Sequence, residues 1–310
     1  MPQRMALGTN ARESPLWVHG GLVAVQLAFA GHAIAGKIAV RELPPGALSL
    51  ARTLLAGLIL FAIHRLRGGA LRVPPGDLAK LAGCALLGIA ANQVLFFEGL
   101  ARTTAINASV LVATIPIFTL LVALVLRKEQ TSGLALLGVG LALAGVVYLL
   151  GAEALTVGAD TILGDALVIG NSLSYGAYLV LVGPLVRKHG SLTVVVWLFV
   201  FGALWVMPYG ARELLVHASH VAVQTWLLVA FIVLAATVFT YLVNAWALGR
   251  AQASIVAIYI YLQPVAAAVL AVIVLDEALT SRVILAAALV FTGIALATRA
   301  RLRSARPVDR

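Results

Sequence analysis

Residues 100–145 read LARTTAINASVLVATIPIFTLLVALVLRKEQTSGLALLGVGLALAG, and residues 248–293 read LGRAQASIVAIYIYLQPVAAAVLAVIVLDEALTSRVILAAALVFTG. The two stretches align without a gap. Leu100, Arg102, Ala105, Pro116, Glu129 and Gly145 recur as Leu248, Arg250, Ala253, Pro264, Glu277 and Gly293. Leucine and alanine coincide by chance in so apolar a chain, so the weight falls on the arginine, proline, glutamate and glycine. Each copy holds a hydrophobic segment with a proline near its middle, a glutamate thirteen residues on, and a second hydrophobic segment with a late glycine. An internal repeat of this kind makes the protein two related halves.

Composition places those halves in a membrane. Of 310 residues, 62% are hydrophobic and 11% charged, and the mean hydropathy is +1.04. A soluble domain has only roughly 45–50% apolar residues. Apolar runs of the ~20 residues needed to cross a hydrocarbon layer occur about ten times, with cores at 16–38, 46–64, 79–98, 105–126, 132–150, 163–186, 192–211, 223–248, 253–275 and 282–299. Lipid offers no partner for backbone amides, so each must be helical. The expected fold is an all-α integral membrane protein of ten transmembrane helices.

Ten spans divide into five per half, and an odd number makes the second half enter the membrane from the opposite side. The expected organisation is a segment at 1–15, a five-helix repeat at 16–150, an inverted five-helix repeat at 163–299 and a basic tail at 300–310. Sixteen of the 22 Lys and Arg residues, among them Arg65, Arg67, Arg127, Lys128, Arg187, Lys188 and the arginines from Arg299 onward, fall at the termini and the even-numbered loops. The positive-inside rule puts that side, with both termini, in the cytoplasm. Topology therefore accounts for the net charge of +10 without nucleic acid. Residues 16–38 are too long for a signal-peptide core, and the repeat needs them as the partner of 163–186. A single cysteine, Cys84, excludes an intrachain disulfide and a multi-cysteine metal site.

Polar residues inside the spans are the candidate functional groups, because each is penalised if it faces lipid. Span one carries Gln26, Phe29, His32 and Lys37. His32 is either a pathway group that titrates near neutrality or a packed histidine, and Lys37 is expected to reach the headgroups. The run from Gly31 to Ile38 approaches a phosphate loop, but Ile38 stands where Ser or Thr is required and no strand precedes it. Arg52 in span two needs a partner or water. Asp77 is placed to cap span three, which then carries Asn92 and Gln93; Glu98 and Arg102 have the spacing of an intrahelical ion pair. Span six presents Asn171, Ser174, Tyr175 and Tyr178, and span eight presents Thr237, Thr240, Tyr241 and Asn244. These faces either line a wet cavity or bond helix to helix.

Pro116 and Pro264 kink spans four and nine. Each ring removes an amide proton and displaces the carbonyl four residues earlier, at Val112 and Ile260. Kinks at matching places in inverted halves are the form of a central site built from interrupted helices, and Tyr259, Tyr261 and Gln263 lie beside the second. Glu129 and Glu277 sit in short turns and are expected to play a structural part there, capping the next helix or binding the turn. Spans five and ten, polar only at Tyr148 and Thr292, are expected to face lipid. His217 and His220 lack a third ligand and are read as solvated, so no metal is expected. There is no Gly-x-Ser-x-Gly, and every aspartate lies at a span end, which argues against an intramembrane enzyme.

Ile115-Pro116 with Arg127-Lys128-Glu129, and Gln263-Pro264 with Asp276-Glu277-Ala278-Leu279-Thr280, set in this layout, resemble the EamA-type transporters of the drug/metabolite transporter superfamily over residues 16–299. Lys128 and Asp276 depart from the small residue common before the glutamate. The resemblance implies two inverted five-helix bundles with spans one, three, four, six, eight and nine around a cavity and five and ten outside. The expected function is secondary transport that exports small metabolites, amino acids first, across a bacterial-type inner membrane by alternating access; a lipophilic-cation or drug exporter, or a metabolite importer, is the alternative. The substrate-binding set is His32, Asn92, Gln93, Asn171, Tyr175, Tyr178, Asn244, Tyr259 and Gln263, whose amides and hydroxyls both donate and accept. The partners are a small molecule and the bilayer, with no cofactor; the oligomeric state is left open.

Overall fold

Prolines mark where several helices begin. Pro45, Pro75 and Pro116 each lie in the first turn of a helix, where a missing N–H costs nothing because that turn has no intrahelical acceptor for it. The computed structural model describes residues 16–103, 108, 111–129, 131–150, 159–266 and 281–304. Among these residues every regular element is helical and there is no strand. We label the helices α1 (Leu16–Ala39, interrupted at Gly31), α2 (Pro45–Leu66), α3 (Pro75–Arg102), α4 (Ile115–Val125), α5 (Gly133–Leu150), α6 (Ala159–His189), α7 (Ser191–His217), α8 (Val223–Leu248), α9 (Ala253–Ala266) and α10 (Ser281–Ser304). Helices α1, α2, α3, α6, α7 and α8 are long and apolar enough to cross a membrane. The described parts of α4, α5, α9 and α10 hold shorter apolar segments.

Two helices contain a wide, π-type turn: α3 at Leu86–Ala91 and α8 at Leu234–Phe239. Both bounds are offset by 148 positions (234 − 86 and 239 − 91), the offset that carries Leu100 onto Leu248. A wide turn loosens the backbone ladder, and its carbonyls then accept from side chains. Ser174 Oγ donates to the Leu87 carbonyl (2.8 Å), the Tyr241 hydroxyl to the Gly88 carbonyl (2.6 Å), and Arg52 Nη2 to the Ala236 carbonyl (3.2 Å). Each of these bonds runs between helices, so the distortion fastens the bundle. Gly88 is required here, because a Cβ would enter the ring of Tyr178.

The repeated late glycine has a packing reason. Helices α5 and α10 cross so closely that a Cβ on Gly293 would fall 2.5 Å from the Gly138 carbonyl oxygen, and one on Gly145 would fall 3.0 Å from the Ala286 carbonyl oxygen. Their outer faces expose Leu136, Leu137, Tyr148, Ile284, Leu285 and Phe291, the apolar surface that lipid would cover. The repeated arginines anchor helix ends. Arg102 pairs with Glu98, and the Arg250 guanidinium lies 4.8 Å from the ring centre of Trp246 and 5.3 Å from that of Trp17.

Two expectations about helix ends are corrected, and Glu129 has a partner that its own turn does not supply. Glu129 accepts from the backbone N–H and hydroxyl of Ser254, in the first turn of α9, so this bond joins the two halves. Asp77 makes no capping bond and accepts instead from Lys188 (2.6 Å), His189 (2.8 Å) and Lys80 (3.3 Å). Lys37 turns inward, donating to the Leu100 and Thr103 carbonyls at 2.5 and 2.8 Å, and so satisfies the open carbonyls at the end of α3. Glu277 lies outside the described residues.

Candidate functional site

Polar side chains that cannot face lipid gather at the middle of the bundle around one cavity. Its empty space is about 830 Å³, open solvent at the mouth included. Helix α1 contributes Gln26, Phe29 and His32; α2, Arg52; α3, Asn92, Gln93 and Phe96; α6, Asn171, Tyr175 and Leu179; α8, Tyr241 and Asn244; α9, Val256, Ile260 and Gln263. Ala108, Val112 and Ile115 close it at the start of α4, whereas α5, α7 and α10 supply no lining residue among those described. Both halves of the sequence therefore build one chamber.

Seven of the nine residues expected to bind substrate line this chamber: His32, Asn92, Gln93, Asn171, Tyr175, Asn244 and Gln263. Hydrogen bonds fix them across helix boundaries. Gln263 Nε2 donates to Gln26 Oε1 (2.8 Å), Asn171 Nδ2 to the Asn92 carbonyl (2.7 Å), Asn244 Nδ2 to the Tyr175 hydroxyl (3.2 Å), and Thr53 Oγ1 to Gln93 Oε1 (3.2 Å). Gln93, Asn171, Asn244 and Gln263 each spend one end of the amide on the protein and keep further capacity, whereas Asn92 takes part through its backbone carbonyl. Asn244 Oδ1 is buried and has no partner among the described residues.

The other two residues are placed elsewhere. Tyr178 is 1% exposed and packs behind the chamber, between Tyr175 and Tyr241, with its ring over Gly88. Tyr259 also lies off the chamber wall, its hydroxyl 2.5 Å from His19 Nδ1. Helical spacing shows which residues share a face but not which neighbour takes the space in front of them.

The prolines act differently from simple kinks. Before Pro116 the chain breaks at Ala113–Thr114 and the helix restarts at Ile115. The carbonyl that becomes available is Leu111, which accepts from Thr114 Oγ1 (2.6 Å) and Ser172 Oγ (2.9 Å). Before Pro264, α9 tightens into a 3₁₀ turn at Tyr259–Tyr261. Both interruptions border the chamber through Val112, Ile115 and Ile260.

Like Gln26 and Tyr241, Arg52 is a polar lining residue that the expected set lacked. It is 3% exposed and donates through Nε to Thr237 Oγ1 (2.6 Å), through Nη1 to His32 Nε2 (3.1 Å) and through Nη2 to the Ala236 carbonyl. A guanidinium only donates, so His32 must accept at Nε2 and carry its proton on Nδ1. The His32 ring stacks on Phe96 at 5.3 Å. The signal for Arg52 was its charge inside a span. Tyr241 had a different one, since it stands at the repeat position of Gln93 (93 + 148 = 241). Glu98 lies outside the chamber lining, bonded to Arg102, as its spacing predicts, and to the Tyr209 hydroxyl. No group of three or more metal-ligating side chains occurs among the described residues, and His217 bonds the Glu213 carbonyl at 2.9 Å.

A helical bundle of membrane-crossing length around a polar chamber is the form of a multi-pass membrane protein. The EamA-like transporter family model matches residues 16–151 and again 162–299, and the chain belongs to that family, in the drug/metabolite transporter superfamily. It is similar to an uncharacterized transporter of Archaeoglobus fulgidus, with 30% identity over 83% of this chain and 88% of the relative. It is 26% identical to the uncharacterized transporter YoaV of Bacillus subtilis over 90% of this chain and 95% of that one. It is also 26% identical to a probable terminal-alkyne amino-acid exporter of Streptantibioticus cattleyicolor, over 90% and 89% of the two chains. A solved crystal structure superposes with a TM-score of 0.73 at 19% identity, covering 93% of this chain and 99% of that one, which speaks for the fold alone.

Proposed function

We propose that the protein is a secondary transporter that exports small metabolites, amino acids foremost, through the central chamber. In this reading the six long helices and the four shorter ones are ten spans in two inverted halves, which rock about the chamber to open it alternately to each side. The membrane is a bacterial-type inner membrane, with both termini cytoplasmic. The observation that carries the proposal is the chamber itself: amides and phenols from both halves, each held at one end by the protein and open at the other. Such groups offer donors to a carboxylate and acceptors to an ammonium, and the relative from Streptantibioticus cattleyicolor, an amino-acid exporter by name, supports the same class.

Among the described residues the chamber lining contains no carboxylate, and His32, which accepts from Arg52, is its one histidine. Flux is accordingly facilitated or weakly coupled, with no obligatory proton. The test is uptake of radiolabelled amino acids into proteoliposomes, with and without a pH gradient. The expected result is saturable flux, little changed by the gradient and reduced at least about tenfold by the Asn171→Ala/Tyr175→Ala double variant, which removes one inter-helix bond at each site. Folded protein that moves no amino acid would overturn the proposal. A lipophilic-cation exporter is the second reading, and Glu98, bonded outside the chamber, gives it no counter-charge.

A further inference from the structure

Arg52 carries a full positive charge in the middle of the bundle, and its three bonds go to Thr237, His32 and the Ala236 carbonyl. All three partners are neutral when they accept. No carboxylate pairs with Arg52 among the described residues, and none lines the chamber. Burying a charge without a counter-ion is unfavourable, yet the surroundings hold this guanidinium firmly: the three bonds fix its plane, and its carbon lies 5.8 Å from the ring centre of Phe97. Five N–H groups less three bonds leaves two donors, one on each terminal nitrogen. Two N–H groups on a fixed planar fork match the two oxygens of a carboxylate. A second buried atom supplies the opposite polarity, since Asn244 Oδ1 is an unpartnered acceptor on the same chamber wall.

We infer that Arg52 is the anchor for a carboxylate on the substrate, so that the chamber selects carboxylate-bearing molecules and rejects amines that lack an acid. This rests on the chamber being the transport pathway, and deepens that reading from amino acids in general to a defined contact. The substrate's carboxylate supplies the missing counter-charge. Its ammonium, where there is one, meets the carbonyl ends of Asn244 and Gln263. The remaining wall is apolar at Phe29, Phe96, Leu179 and Ile260, which suits a hydrophobic side chain.

The experiment measures equilibrium binding to the purified full-length protein in lipid nanodiscs. The probes are L-leucine, 4-methylpentanoate (the same skeleton without the amine), L-leucinamide (the acid neutralised) and 3-methylbutylamine (the acid removed), with the matching alanine and phenylalanine series alongside. The expected result is binding of both acids, with the amide and the amine weaker by on the order of tenfold or more, the range of a lost hydrogen bond to a charged group. Arg52→Gln should erase that difference, and Arg52→Lys, which keeps the charge but loses the fork, should fall between. If Arg52→Gln fails to fold, the wild-type series and Arg52→Lys still decide. Amides or amines that bind wild type as well as the acids, acids that bind Arg52→Gln unchanged, or the absence of any acid binding would overturn the inference. Acid-selective binding without flux into proteoliposomes would instead remove the transport reading and leave Arg52 in place. Equal flux of leucine and leucinamide, sensitive to the Asn171→Ala/Tyr175→Ala change, would keep the pathway and remove the anchor.

Discussion

His32 accepts a hydrogen bond from a group that can only donate, and this sets what its replacement should do. Glutamine offers an oxygen in place of Nε2, so His32→Gln should keep amino-acid flux within about twofold of wild type, with an unchanged pH profile. Leucine at that position leaves a guanidinium N–H buried and unpaired, at a cost of about 1–3 kcal/mol, which a lowered unfolding temperature in detergent would report. A pH profile altered in the glutamine variant would restore His32 as a proton carrier. The sequence made the types of these residues legible, because a polar group within an apolar span has few places to go. Their partners were not legible. Arg52 meets Thr237 across 185 positions and Glu129 meets Ser254 across 125, and no local spacing encodes such a meeting. Tyr178 shows the same limit from the other side, since it shares a helix face with Asn171 and Tyr175 but is covered by Gly88 and Tyr241.

Among the elements, α5 and α10 cross closely through Gly138, Gly145 and Gly293. Gly293→Val places its branched carbons where the Gly138 carbonyl and the backbone of Ala142 already lie. It should destabilise the protein by at least the ~1–3 kcal/mol typical of overpacking, read as a lower unfolding temperature. Flux per folded molecule should be retained, because neither helix lines the chamber. An unchanged unfolding temperature would mean that the two helices do not meet there. The repeat announced Gly145 and Gly293 without giving their purpose; only the partner helix supplies it. The wide turns could not be read at all. Each shifts the helical phase of the residues after it by about 100° per extra residue, and thereby helps to bring Asn92 and Gln93, or Tyr241 and Asn244, round to the chamber.

For the molecule as a whole, the charge distribution gives a direct test of orientation. In a Cys84→Ala background, Lys80→Cys, 69% exposed at its side chain in the wild-type residue, should react with an impermeant thiol reagent only from the cytoplasmic side. Ser219→Cys, on the exposed turn after α7, should react only from the other. Labelling of both from one side would overturn the assigned topology. The helical class, the two halves and the family were legible because hydropathy and an ungapped repeat survive without any knowledge of contacts. The wide turns at Leu86–Ala91 and Leu234–Phe239 carry that repeat further back in time. Had each arisen after the copying, two separate events would have had to strike the corresponding residue; one event that was then duplicated needs no such coincidence. Matched wide turns are thus the mark that duplication of one half-length unit leaves in a backbone, where the side chains have already diverged.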